Sequence, residues 1–129
     1  MRTIIKGCTL INGQSDDLKE DCTIVIEADT ISSIETGGVE TLPSDYIIDG
    51  HGKYVLPGLI DSHVHLVWDG SADPLPIIER MENDAVTLRG YKHSLDYLAL
   101  GITTVRDVGS PDRTALHVRN AINSGLLKG

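Results

Sequence analysis

The 129-residue chain has 11 Lys+Arg against 19 Asp+Glu, a formal charge of −8, with 40% hydrophobic and 4% aromatic residues and no Phe. That apolar share suits a packed core and excludes a disordered chain, while the acidic balance excludes nucleic acid and anionic membrane as partners, since both need a basic footprint. No apolar run approaches the roughly 20 residues of a membrane-crossing helix, and residues 1–6 lack the apolar stretch of a leader, so a soluble, cytoplasmic protein is expected.

Residues 1–56 hold 4 basic and 10 acidic groups, residues 57–129 hold 7 and 9, and the pattern changes at the same place. We therefore expect a boundary near Pro57, with a solvated acidic face on the first segment. In that segment, residues 3–11 are β-branched and apolar and close at Asn12-Gly13, a turn signal. Residues 22–26 and 30–34 flank Glu27-Ala28-Asp29 as a hairpin, although Ile31 and Ile34 do not alternate cleanly and leave the register open. Residues 46–48 and 53–56, around Asp49-Gly50-His51-Gly52, give another strand–turn–strand. Such spacing predicts a small antiparallel sheet or half of a sandwich. Cys8 and Cys22 have neither CxxC spacing nor disulfide-scaffold density and read as reduced core residues.

After Pro57-Gly58, residues 59–67 read as a strand buried on at least one face. Ile77, Met81, Ala85, Leu88, Leu95 and Leu98 then recur at mostly three- and four-residue steps. They predict the buried face of one helix over residues 77–100, ended by Gly101. Residues 102–106 form a second β-branched strand. Ser110-Pro111-Asp112 supplies an N-cap, a first-turn proline and an acid for a shorter helix with Ala115, Val118 and Ile122 inward and Gly125 at its end. Strand–helix–strand–helix predicts parallel βαβ units. A closed (β/α)8 barrel takes about 250 residues, so a barrel begun at Pro57 is expected to be incomplete within this chain.

The sharpest chemical feature is Pro57-Gly58-Leu59-Ile60-Asp61-Ser62-His63-Val64-His65-Leu66. On a strand, His63 and His65 share a face with Cα atoms about 6.5–7 Å apart, while Val64 faces the other way and packs. Two imidazoles so placed can grip one divalent ion. His-x-His alone arises by chance about once in five such sequences, and the preceding Pro-Gly-x-x-Asp makes it far rarer. Asp61 shares that face, as a partner orienting an imidazole or as a strand-end hydrogen-bond acceptor. Arg106 and Asp107 end the second strand, where one of them touches substrate or supports the site, or they serve in a structural ion pair. Trp68 lines a pocket or packs. His51 belongs to its turn, and His93 and His117 to helix surfaces or packing. No phosphate-binding glycine loop, GxSxG or catalytic-cysteine context is present.

PGLIDSHVHL, preceded by IIDGHGKYVL and followed by GITTVRDVG, resembles the start of the metal-dependent amidohydrolase superfamily, in its imidazolonepropionase-like and prolidase-like branch. The resemblance implies an α/β fold in which residues 1–56 are part of a small β-sandwich and residues 57–129 the first two βα units of a TIM-type (β/α)8 barrel. It also implies His63 and His65 as ligands of one or two divalent ions, zinc foremost, and hydrolysis of a C–N bond in a small amide, dipeptide-like or cyclic amide substrate. The family's other ligands, a carboxylated lysine, two histidines and an acid/base aspartate, come from later strands and are expected outside residues 1–129. This chain by itself is accordingly expected to be inactive. Two further readings stay open: a non-catalytic metal- or protein-binding module, and a homo-oligomer that assembles a shared site.

Overall fold

A computed structural model describes residues 2–129; Met1, at the head of the segment read for a leader, lies outside the described residues. The chain forms two compact units, one through Pro57 and the other Gly58–Gly129. Among the described residues no helix is long and apolar enough to cross a membrane.

The first unit is a five-stranded sheet of β1 (Arg2–Leu10), β2 (Lys19–Glu27), β3 (Thr30–Thr36), β4 (Tyr46–Asp49) and β5 (Tyr54–Val55), in the order β3-β2-β1-β4 with β5 also on β1. It is mixed and not antiparallel as expected: β2 runs against β1 and β3, but β4 and β5 run parallel to β1. Residues 37–45 make this possible by returning the chain to the start of β1 instead of turning back beside β3. Arg2 holds the end of that crossover, donating to both Asp45 carboxylate oxygens at 3.1 and 2.7 Å.

The open register of β3 has a simple cause. Ile26 faces Ile31 and Val25 faces Ser33, so Ser32 is an extra residue, a β-bulge. Ile31 and Ile34, three apart in sequence, thereby oppose Ile26 and Ile24, which share one face of β2. Cys8, Leu10, Cys22 and Ile24 form the core, with Ile5, Ile26 and Val55 against it. Both cysteines are free and buried, and burial pushes the Cys8 thiol up, keeping it neutral. Residues 46–55 form the expected strand–turn–strand, and both pieces lie parallel along β1. The turn tucks against Gly7, whose left-handed backbone (φ +70°) and missing side chain leave room for the His51 ring.

The second unit pairs β6 (Leu59–Val64) in parallel with β7 (Ile102–Asp107). Between them come α1 (Leu75–Ile78) and α2 (Asn83–Ala99); after β7 come a 3-10 turn (Pro111–Arg113) and α3 (Thr114–Asn123). The strand–helix–strand–helix order is as expected. Several details are not.

β6 stops at Val64 and not at residue 67. Of its residues only Val64 is buried, while Leu59 and Ile60 are 49% and 71% exposed, so the expected buried strand face is confined to its end. The single expected helix is two, because α1 ends at the cap Glu79 and the chain is extended at Glu82, ψ 147°, before α2 begins. Ile77, Met81 and Ala85 step by four straight through the break, which is why periodicity conceals it. The inward face of α2 is also different: Val86 and Gly90 are buried and His93 and Tyr97 half-buried, whereas Leu88, Leu95 and Leu98 face solvent. Gly101 ends α2 as expected, at φ +82°. Ser110 does not cap a helix, because its hydroxyl donates to Asp107; Asp112 and Arg113 are left-handed, and α3 starts only at Thr114. Val118 is buried as expected, but Thr114 joins it in place of Ala115 and Ile122, which are half-buried.

Candidate metal centre

At the end of β6, past a register shift between Asp61 and Val64, Val64 is buried at 3% exposure, while His63 before it is exposed and His65 after it half-buried. Their rings lie 5.7 Å apart between centroids at 71°. His65 comes just past the last paired residue, so its position is set by the loops and not by the ladder.

Three contacts fix that ring. Its Nδ1 donates to the Gly109 carbonyl at 3.3 Å, Trp68 stacks on it with centroids 3.7 Å apart and planes 19° apart, and Gly109 lies beneath it. A Cβ on Gly109 would stand only 2.9 Å from His65 Nδ1, so the close approach requires glycine. A carbonyl accepts only, so the bonded Nδ1 holds the proton and Nε2 keeps the lone pair a metal ion would use.

Asp107 ties together the loops after β6 and β7. Its Oδ2 accepts the Leu66 N–H at 2.8 Å and the Ser110 hydroxyl, and its Oδ1 accepts the N–H groups of Gly109 at 3.0 Å and Ser110 at 2.8 Å. Burial alone would raise its pKa, but the bonds from Ser110, Leu66 and Gly109 outweigh it and hold the carboxyl below its ordinary range. Asp61 takes the local alternative read for it, its Oδ1 accepting the His63 N–H at 3.1 Å. Arg106 is exposed, and the expected ion pair between Arg106 and Asp107 does not form: Asp107 is committed to Ser110 and the two loops. Tyr97 lies near both carboxylates; burial, then the charges of Asp61 and Asp107, push its phenol up and keep it neutral.

Helix α2 reaches the same loop. His93 Nδ1 donates to the Leu66 carbonyl at 2.8 Å, and Arg89 Nε donates to the Val67 carbonyl at 2.8 Å. The guanidinium also pairs with Asp69 at 2.8 Å. Asp69 is lowered to about 2, first by its bonds from Ser71 and then by Arg89. The sequence pattern leaves His93 to helix packing and does not single out Arg89. A histidine stripe beside a glycine on a helix carries no pattern that separates a loop clamp from a surface group. His117 is exposed, as expected.

The donor set fits a divalent ion in part. Two imidazoles two residues apart, with ring centroids 5.7 Å apart, are suitable ligands, yet a catalytic zinc ion takes three protein ligands. Among the described residues no cluster of three or more His, Cys, Asp or Glu converges to hold one. Two open hollows in the first unit, about 470 and 560 Å³, contain no histidine; one is lined by Ile11 and the loop to Leu18, the other by the β2–β3 edge with Arg2 and Glu40.

A family model described as the amidohydrolase family matches residues 54–127. Imidazolonepropionase of Burkholderia multivorans is 31% identical over 116 residues, 85% of this chain and 26% of its own length. A 5-methylthioadenosine/S-adenosylhomocysteine deaminase of Dictyoglomus turgidum is 37% identical over 86 residues, 64% of this chain and 19% of its own. Among solved structures, a Xaa-Pro dipeptidase with methionine bound in its active site superposes with a TM-score of 0.84 at 34% identity, covering 100% of this chain and 32% of that one. The chain thus spans between about a fifth and a third of the length of these relatives.

Proposed function

Because the chain belongs to the amidohydrolase family, we propose that it contributes the first two βα units of a (β/α)8 barrel hydrolase, with residues 1–56 forming part of a flanking β-sandwich. In this reading His63 and His65 hold a divalent ion, zinc foremost, and the substrate is a small amide, dipeptide-like or cyclic amide compound. Such an ion, when bound, would lower the pKa of a water so that hydroxide is available near neutral pH, and would polarise the scissile carbonyl. The chain's own residues bind and orient. The Gly109 carbonyl selects the His65 tautomer, Trp68 keeps the ring from turning, and Asp107 joins the two loops at the C-terminal strand ends, where barrel enzymes build their sites.

The observation that carries this reading is the His65 ring, fixed with Nδ1 protonated and Nε2 available beside a second imidazole. It is tested by His63→Ala/His65→Ala in the protein as it occurs in the cell. The double variant should lose bound divalent metal, measured by elemental analysis, together with turnover of N-acyl amino acids, dipeptides or cyclic amides. Full metal content in that variant overturns the reading.

A further inference from the structure

The peptide units that follow His65 are held from several sides. The Leu66 N–H donates to Asp107, the Leu66 carbonyl accepts from His93, and the Val67 carbonyl accepts from Arg89, each at 2.8 Å. Leu66 and Val67 are 3% and 0% exposed, so water cannot replace these partners. Arg89 and His93 are one turn apart on α2 and act on successive carbonyls. Gly90 lies between them, and a Cβ there would stand 3.2 Å from Thr114 and 3.5 Å from Val67, so the helix packs closely at this point. Asp69 anchors the other end of the Arg89 guanidinium and completes a strap across residues 66–69. Nothing in this set touches the His65 ring. It acts on the backbone that carries the ring.

We propose that His93 and Arg89 are positioning residues for the metal centre: by fixing the Leu66 and Val67 peptides they set the direction of His65 before any ion arrives. The inference rests on the reading of His63 and His65 as ligands. A ligand ordered in advance binds more tightly, because its ordering cost is not met at the moment of binding. The bond needs a donor at Nδ1, and this makes a specific demand on substitutions. Asparagine carries an amide N–H on Cγ, where Nδ1 is attached; glutamine carries its amide one carbon farther out.

The test compares His93→Asn with His93→Gln in the protein as it occurs in the cell, measuring the Zn2+ dissociation constant by competition with a chromophoric chelator and the melting temperature alongside. We expect His93→Asn to stay within about threefold of the parent and His93→Gln to bind Zn2+ about tenfold or more weakly. Equal affinities for the two overturn the inference. Should His93→Gln not fold, Arg89→Lys decides: lysine keeps the charge but cannot reach Val67 and Asp69 as a planar fork. An affinity lowered about threefold or more supports the inference, and parental affinity overturns it. His63→Ala/His65→Ala serves as the control. Retained Zn2+ there defeats the ligand reading itself, whereas loss there with equal asparagine and glutamine variants defeats only the inference.

Discussion

Each unit of this molecule lays an imidazole on a glycine, and the two arrangements do different things. In the first, His51 covers Gly7 with its Nε2 edge, and its Nδ1 meets Asp49 at 2.6 Å on an exposed turn. Its Nδ1 is taken by a carboxylate that His51 in turn holds below its ordinary pKa range, while its Nε2 edge lies over the glycine. In the second, His65 presents its Nδ1 edge to Gly109, which leaves Nε2 open, with His63 alongside. A glycine beneath a histidine is therefore no sign of a site. The edge that faces the glycine decides whether the ring closes a turn or offers a lone pair.

Substituting the two glycines should separate these roles. Gly7→Ala has the larger effect on stability, because a left-handed backbone with a side chain costs about 1–2 kcal/mol before the His51 ring is displaced. It should lower the denaturation midpoint and leave Zn2+ binding at the parental level. Gly109→Ala should do the reverse: the new methyl crowds His65 Nδ1, so Zn2+ affinity falls by about tenfold while the midpoint moves little. If Gly109→Ala lowers stability and spares affinity, the contrast between the two rings fails.

The smallest effect concerns acid. Asp69 titrates near 2 in the fold, below the roughly 3.9 of a free aspartate, so its contribution is present above about pH 4. It is lost as pH falls from about 4 towards 2, when the Ser71 and Arg89 partners must give up a protonated carboxyl. In metal-free protein, Asp69→Asn should remove this limb from the stability profile. A parental profile in that variant would assign the acid sensitivity elsewhere, with Asp45 beside Arg2 in the first unit the next group to examine.

Much of this is legible in the amino-acid sequence, and for identifiable reasons. The change of period at Pro57-Gly58, the stop at Gly101 and the exposed His63 beside a buried Val64 each follow from one residue's conformational freedom or from strand alternation, whereas His65, just past the strand, is placed by loops. What stays hidden depends on partners distant in sequence. The Ser32 bulge is visible only against β2. The true inward face of α2, with Gly90, His93 and Tyr97, looks polar and small, while Leu88, Leu95 and Leu98 mimic a core stripe and face outward. Ser110 reads as a helix cap until Asp107, three residues earlier, takes its hydroxyl. Asp107 shows the same limit: its place at a strand end is readable, but its partner across 41 residues, Leu66, is not.

Trp68 is the only tryptophan in the chain, and it lies flat against one of the two candidate ligands. The indole emission of this chain therefore comes from a single place, against the ring proposed as a ligand. A cation drawn to His65 would change the electron density of the stacked imidazole and so the light the indole gives back. If His65 takes an ion, that change in emission reports it without a label.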